Sequence, residues 1–73
     1  DVYPNPTRGF LHINSNVNVV SSISVKDILG KEVLNQTGSG LINLNLSDNP
    51  DGIYFLRHQT AEGVSLKKVV LKR

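Results

Sequence analysis

Two histidines, His12 and His58, are the side chains in this sequence best suited to metal binding or acid–base chemistry. A zinc site needs about three or four ligands that converge on the ion, usually with one closely spaced pair. The two histidines are far apart in the chain, and no cysteine is present to complete such a set. We therefore expect two surface histidines, with His12 on the polar face of a strand, and no metal or other cofactor.

A serine between glycines and a pair of carboxylates are the remaining candidates for chemistry. Gly38-Ser39-Gly40 superficially resembles a nucleophile elbow, but that motif needs a helix after the serine turn, and the following residues alternate as a strand. Asp48 and Asp51 lack the series of oxygen ligands that an EF-hand loop supplies to calcium. Both segments are typical of turns, so the sequence predicts no catalytic residue.

The charge and the aromatic residues argue against nucleic acid as a partner. The formal net charge is +2, which is too small to attract nucleic acid or an anionic membrane. Sheets that bind nucleic acid usually place aromatic and basic residues on one face. The aromatic residues here all lie outside the basic C-terminal segment: Tyr3, Phe10, Tyr54 and Phe55. We therefore predict that Tyr54 and Phe55 pack in the core.

The segment of residues 64–73 has four basic side chains and no acidic one. Its residue pattern predicts a strand, and lysine on an edge strand is a common protection against edge-to-edge pairing. The alternative is a recognition element, since a terminal strand can be bound by β-augmentation and a free C-terminal end can be captured. The pattern alone favours a solvated edge strand.

The elements that must position these residues are strands. Alanine occurs once, whereas valine occurs nine times and isoleucine five times, which disfavours helix. Asparagine and glycine cluster between the apolar runs, as in turns. Turn signals at intervals of about 8–12 residues predict an all-β fold, an antiparallel sandwich of six to seven short strands.

The strand boundaries follow from the alternation between these turns. The six predicted strands are residues 9–14, 18–27, 31–36, 41–46, 53–59 and 64–71, and a seventh arises if the second is split at Val20-Ser21. Gly30 is expected to supply a positive φ in the tight turn before the third strand. The last two strands have apolar residues on both faces, so they are central or bury a second face against another domain.

Residues 4–9 contain two prolines, an asparagine and a glycine and lead into the first predicted strand. We call this segment the hook. Pro4 and Pro6 each fix φ and remove a backbone donor, and they push Tyr3 and Asn5 toward extended conformations. We expect that the hook cannot extend a sheet upstream and that it separates the domain from whatever precedes it. Because the sequence starts with Asp1 rather than Met, we also expect a piece of a longer protein.

The length of the chain limits its core. A domain of 73 residues buries only about 60% of the surface that its unfolded chain exposes, and without cysteine no disulfide supports it. No apolar run approaches the roughly 20 residues that span a bilayer.

Four motifs in this sequence resemble a known family. "YPNPTRGFLHI", "SVKDILGKEV", "LSDNPDGIYFLR" and "GVSLKKVVLKR" occur in this order between Tyr3 and Arg73. Together they closely resemble the C-terminal sorting domain of proteins exported by the type IX secretion system of Gram-negative bacteria. The resemblance implies an immunoglobulin-like β-sandwich, here residues 1–73, that is the last domain of a larger secreted protein.

The resemblance also implies a secretion signal and no enzyme. In that family a signal peptide carries the parent protein across the inner membrane. The sorting domain is then recognised in the periplasm and directs passage through an outer-membrane pore. A surface sortase commonly removes the domain upstream of the hook, and the cargo is released or joined to a surface lipopolysaccharide. The expected partners are therefore the translocation machinery, the sortase and the covalently linked N-terminal cargo, and the expected location is the cell surface or the medium.

The family motifs fall on identifiable residues of this sequence. Carried over one by one, they are Pro4, Asn5, Pro6, Gly9, Gly52, Tyr54, Lys67, Lys68, Val69, Val70, Lys72 and Arg73. The clustered charge motivates the hypothesis that the terminal lysines, with the terminal carboxylate, contact the translocation machinery.

A second function class stays open, an adhesion or carbohydrate-binding module attached to an extracellular enzyme. An aromatic platform on an exposed sheet face would support it, and the sequence has few aromatic residues to build one. The last strand could in addition pair with itself across a two-fold axis, which would give a weak homodimer.

Overall fold

The computed structural model describes residues 2–73, which form seven β-strands. The strands are β1 (Val2–Tyr3), β2 (Phe10–Asn14), β3 (Ser21–Asp27), β4 (Glu32–Gly38), β5 (Leu41–Asn45), β6 (Gly52–Thr60) and β7 (Gly63–Leu71). Nowhere in residues 2–73 is there a helix with the length and apolar content that crossing a membrane requires.

The strands form two antiparallel sheets. The smaller sheet has the order β1-β2-β5, and the larger has the order β4-β3-β6-β7. The arrangement is immunoglobulin-like, without a strand D in residues 2–73. The strands β1, β2 and β5 take the places of A, B and E of that fold, and β4, β3, β6 and β7 take those of C′, C, F and G. The predicted antiparallel β-sandwich is therefore confirmed.

The core lies between the inner faces of the two sheets. Along each strand every second side chain points inward, and the inward positions are almost all aliphatic. The buried hydrophobic residues are Leu11, Ile13, Ile42, Leu44 and Leu46 on the side of the smaller sheet, and Ile23, Val25, Tyr54, Leu56, Val69 and Leu71 on the larger. Each fully buried aliphatic side chain contributes about 1.5–3 kcal/mol, so a core this small depends on every member.

The turn between β3 and β4 was correctly predicted. The Asp27 carboxylate accepts the backbone N–H groups of Leu29 and Lys31, each at 2.9 Å. Gly30 has a φ of 86°, as expected for the residue that completes this turn.

The predicted strand at residues 18–27 is too long, and splitting it at Val20-Ser21 is wrong. Asn16 closes a turn here, because its Oδ1 accepts the N–H of Asn18 at 2.9 Å and its backbone oxygen accepts the N–H of Val19 at 3.0 Å. The strand therefore begins only at Ser21, and the other predicted boundaries shift by one or two residues. The seventh strand is β1.

The expectation that the hook cannot extend a sheet is also wrong. Val2 pairs with Ile13, and Tyr3 pairs with His12. The prolines remove only their own N–H groups, so the backbone of Val2 and Tyr3 is still able to pair. Both proline peptide bonds of the hook are cis.

The two strands with apolar residues on both faces differ in position. β6 is central, whereas β7 lies at the edge of the larger sheet. The edge position of β7 confirms that the basic terminal segment is an edge strand. Tyr54 is buried as predicted, but Phe55 is 49% exposed, so its predicted core packing is wrong. Tyr54 and Leu56 occupy the inner face, which places the residue between them on the outer face.

Candidate functional site

The hook crosses from the smaller sheet to the free edge of β7. Thr7 forms a parallel bridge with Leu71. The N–H of Thr7 donates to the backbone oxygen of Val70, and the N–H of Lys72 donates to the backbone oxygen of Thr7, both at 2.8 Å. The N-terminal motif and the terminal motif of the sequence therefore meet in space.

Asn5 continues this pairing with its side chain. Its Nδ2 donates to the backbone oxygen of Lys68 at 2.8 Å, and its Oδ1 accepts the N–H of Val70 at 3.1 Å. A carboxamide has one acceptor and donors in the same geometry as a peptide group, so Asn5 bonds β7 as a neighbouring strand would. We call the pairing of Asn5 and Thr7 with residues 68–72 the clasp.

Thr7 holds the hook in position from inside the protein. Its side chain is 1% exposed. Its hydroxyl oxygen accepts the N–H of Gly9 at 3.0 Å and donates to the backbone oxygen of Phe10 at 2.6 Å. Sequence reasoning missed Thr7, although a hydroxyl residue two positions before a glycine is a turn signal.

Gly9, which the family motif includes, allows the chain to pass close to the segment after β5. Its φ is 146°, and a Cβ built there would lie 3.1 Å from the Cβ of Ser47. Its backbone oxygen accepts the N–H of Leu46 at 2.7 Å. Only a residue without a side chain fits both this φ and this contact.

Tyr54 has a recognisable structural role. It lies near the start of β6, and its hydroxyl donates to the backbone oxygen of Pro50, four residues upstream, at 2.5 Å. This is the tyrosine corner of immunoglobulin-type sandwiches, which occurs at the same place between strands E and F. Gly52 and Tyr54 are directly opposite Leu71 and Val69 of β7, respectively, so this motif supports the clasped end of the last strand.

Arg73 is held at the same end of the molecule. Its guanidinium Nη1 donates to the Asp51 carboxylate at 2.8 Å, and its backbone N–H donates to the other carboxylate oxygen at 3.2 Å. A second guanidinium nitrogen donates to the backbone oxygen of Ser47. The pKa of the Asp51 carboxyl is lowered most by the hydrogen bond from the backbone N–H of Arg73 and next by the one from the Arg73 side chain. Sequence reasoning had placed Asp51 only in a turn, because nothing local reveals a partner 22 residues away.

The three terminal lysines do not form one cluster. Lys67 is paired with Leu56 and is on the inner side of β7, whereas Lys68 is paired with Phe55 and is on the outer side. Lys72 follows the end of the strand, and all three side chains are exposed. Within residues 2–73 the only ion pair is that of Arg73 with Asp51, so these lysines are available to a partner.

The histidines have structural partners. His12 lies on the outer face of the smaller sheet, as predicted, where its Nδ1 donates to Oδ1 of Asn43 at 2.6 Å. His58 is half-buried rather than on the surface, and its Nε2 is 2.7 Å from the hydroxyl of Ser21. A serine nucleophile must be accessible to its substrate, and Ser21 is fully buried. The contact between Ser21 and His58 is therefore structural. In the described part of the chain no three residues are placed to hold a metal ion.

A shallow groove lies beside the clasped end of the molecule. Its volume is about 450 Å³. The apolar residues that line it lie in the β3–β4 turn, in the segment before β6 and at the start of β6, namely Ile28, Leu29, Pro50 and Ile53. The second and third sequence motifs meet here. All four motifs are thus brought to neighbouring positions at or near one end of the sandwich, together with the clasp and the Arg73 contact.

Comparison with known proteins agrees with this geometry. The profile of a protein family described as the secretion system C-terminal sorting domain matches residues 1–72. No curated protein matches the chain significantly. Members of this family are sorting signals rather than catalysts, and the role implies interaction with the secretion machinery and export across the outer membrane to the cell surface or extracellular space. The chain belongs to the family of C-terminal sorting domains of the type IX secretion system.

Proposed function

We propose that the clasped end of β7 is the surface by which the type IX translocation machinery recognises this domain. The observation that carries the proposal is the bonding of Asn5 to Lys68 and Val70, which joins the two terminal motifs of the family in one structure. The clasp fixes the backbone of β7 while the side chains of Lys68 and Lys72 stay exposed. A backbone that is already fixed suits recognition, because binding then requires little further ordering of the backbone.

In this proposal the domain is the last part of a larger exported protein, and the machinery recognises the domain in the periplasm. A surface sortase then cuts upstream of the hook. The pairing of Val2 and Tyr3 with β2 supports a cut before residue 2, because a protease needs an extended backbone that is not already bonded in a sheet.

Export of a reporter tests the proposal. Residues 1–73 are fused behind a periplasmic fluorescent protein in a bacterium with an active type IX system, and fluorescence at the surface and in the medium is compared with that of a strain without the pore. We expect export only where the pore is present. Retention in the periplasm in every strain would contradict the sorting function itself.

Substitutions then separate recognition from folding. Deleting residues 67–73 would remove Val69 and Leu71 from the core, so a loss of export after this deletion could result from unfolding alone. The double variant Lys68→Ala/Lys72→Ala keeps the core, and we expect it to accumulate in the periplasm. The matched control is Arg8→Ala/Lys31→Ala, which removes the same charge elsewhere. Equal export of both variants would contradict recognition through the terminal lysines.

A second candidate function, carbohydrate binding, has one observation in its favour. Tyr3, Phe10 and His12 lie on the outer face of the smaller sheet, with the Tyr3 and His12 rings 5.6 Å apart. Aromatic rings on a flat face can stack on sugar rings. Binding to a glycan array that Tyr3→Ala and Phe10→Ala both abolish would support this function. An array without a hit would rule it out in favour of the sorting signal alone.

A further inference from the structure

The clasp covers only half of the free edge of β7. Its bonds show that the backbone groups of Val70 and Lys72 point away from β6. Since backbone groups alternate along a strand, the N–H and C=O groups of Val64 and Leu66 point away from β6 as well. No strand or side chain of residues 2–73 pairs with them. The N-terminal half of β7 is therefore an open strand edge.

The side chains beside this open edge are apolar and exposed. Leu66 is 75% exposed and Val64 51%, and both lie on the outer face of the larger sheet. Phe55 on the adjacent strand is 49% exposed on the same face. An open edge with exposed apolar side chains is a site at which another strand can add.

Positive charge surrounds this apolar patch. Lys26 and Lys68 are paired with Phe55 from either side, and Arg57 is paired with Leu66, so all three cations lie on the outer face. None of these three cations forms an ion pair with a carboxylate of residues 2–73. The patch therefore favours a partner that offers apolar side chains together with carboxylates.

We propose that the open half of β7, residues 64–68, binds by β-augmentation an extended segment that has apolar and acidic side chains on the same face. The added strand would bond the backbone of Val64 and Leu66 and place its apolar side chains against Leu66 and Phe55. The clasp limits it to this half of the edge, because Asn5 already occupies the backbone oxygen of Lys68. The inference rests on the proposed function in one respect, that the segment belongs to the export machinery.

A second copy of this chain fits the site less well. Residues 64–73 contain no acidic side chain, so pairing of two β7 strands would bring Lys67 and Lys68 of both copies together. Like charges facing each other across a pair of strands are destabilising.

A peptide titration tests the binding directly. The probe is a fluorescently labelled six-residue peptide, Thr-Glu-Thr-Val-Thr-Glu, which as a strand has its valine and both glutamates on one face. The control probe has lysine in place of each glutamate. Both are titrated into residues 1–73, with the backbone amide signals followed by NMR. We expect only the glutamate peptide to bind, with shifts centred on Leu66, and binding to weaken at about 1 M salt, where the Debye length is about 3 Å.

Three substitutions of Leu66 separate the contribution of its backbone N–H to binding from that of its side chain. Leu66→Pro removes an N–H that points away from β6, and edge strands accept proline at such positions. The loss of that hydrogen bond and the added ring should weaken binding by about tenfold or more. Leu66→Thr keeps the N–H and should lose less. Leu66→Glu, which keeps the backbone and repels the acidic probe, gives an independent variant if the proline variant unfolds.

Several outcomes would overturn the inference. These are equal binding of the two peptides, no binding of either, or undiminished binding to a folded Leu66→Pro or Leu66→Glu variant. A homodimer that Leu66→Pro dissociates would replace the acidic partner by a second copy. In the reporter assay, normal export of Leu66→Pro with failure of Lys68→Ala/Lys72→Ala overturns this inference and leaves the proposed function standing. Normal export of Lys68→Ala/Lys72→Ala with failure of Leu66→Pro overturns recognition through the terminal lysines and leaves standing the binding of a strand at residues 64–68.

Discussion

Asn5 and Val70 are hydrogen-bonded although 65 positions separate them, with the side-chain oxygen of Asn5 accepting the backbone N–H of Val70 at 3.1 Å. Through this contact one exposed side chain near the start of the chain supplies the missing neighbour of the last strand. The N-terminal motif of the sorting domain therefore completes the C-terminal one, and the two act as a single structural unit.

The first prediction concerns this contact. Asn5→Ala removes both hydrogen bonds of the carboxamide to β7 and should lower the free energy of unfolding by about 1–2 kcal/mol, measured by urea denaturation. Hydrogen exchange at Val70 should become faster. The matched control is Asn14→Ala, because the exposed Asn14 side chain makes no hydrogen bond within residues 2–73. Equal stability of the two variants would show that the clasp does not depend on Asn5.

The second prediction concerns the buried hydroxyl of Thr7. Thr7→Val keeps the shape of the side chain but leaves the N–H of Gly9 without its acceptor. An unsatisfied buried donor costs about 1–3 kcal/mol, which calorimetry should detect as a lower Tm. Thr37→Val makes the same chemical change at an exposed position of β4 and should have little effect. A Tm of Thr7→Val that matches the control would contradict this role of Thr7.

The third prediction concerns the tyrosine corner. Tyr54→Phe deletes the hydroxyl that donates to the backbone oxygen of Pro50 and should destabilise the domain by about 1 kcal/mol. Tyr3→Phe, at a residue that is 45% exposed, should change stability by less than about 0.5 kcal/mol. If urea denaturation finds both variants as stable as the natural sequence, the corner has no energetic role here.

The fourth prediction compares two neighbouring residues of β6. A domain of 73 residues has a stability of about 4–11 kcal/mol, taking about 0.05–0.15 kcal/mol per residue. Leu56→Ala should remove about 2–5 kcal/mol of it, because Leu56 is buried. Phe55→Ala removes the larger side chain but should cost less, since Phe55 is half exposed on the outer face. The reverse order in urea denaturation would place Phe55 in the core.

The fifth prediction concerns pH. Because Arg73 lowers the pKa of Asp51 below its usual 3.8, the folded state binds the proton of Asp51 less readily than the unfolded state does. The resulting stabilisation is complete above the unfolded-state pKa and is lost as the pH falls through the folded-state pKa. Urea denaturation between about pH 5 and pH 2 should therefore show a smaller loss of stability for Asp51→Asn than for the natural sequence.

Salt and a neighbouring carboxylate provide the controls for this prediction. The contact is exposed, so high salt should reduce the difference between Asp51→Asn and the natural sequence. Asp48→Asn removes another carboxylate, one without a contact to Arg73, and should keep the pH dependence that Asp51 causes. An identical pH profile for Asp51→Asn and the natural sequence would contradict the contact.

Local chemistry determined the parts of the fold that the sequence predicted. Alternation of Ile42 and Leu44 with polar residues predicts a strand with one buried face, because side chains alternate along a strand whatever its partners are. Gly30 predicts a turn because only glycine adopts a positive φ at no cost. The family motifs contain residues that the structure brings to one end of the sandwich, but they did not indicate which of them touch. The role of these residues in recognition stays a prediction.

Long-range contacts decided the rest. Which sheet each strand joins, and hence that β7 is an edge, depends on pairing partners that no short pattern specifies. The pairing of Val2 and Tyr3 with β2, the capping of β7 by Asn5 and the contact of Arg73 with Asp51 all join residues that are distant in sequence. Phe55 shows the same limit, because only the registers of β6 with β3 and β7 reveal which of two apolar faces remains exposed. Alternation is a property of one strand, whereas burial is a property of the assembled sheets.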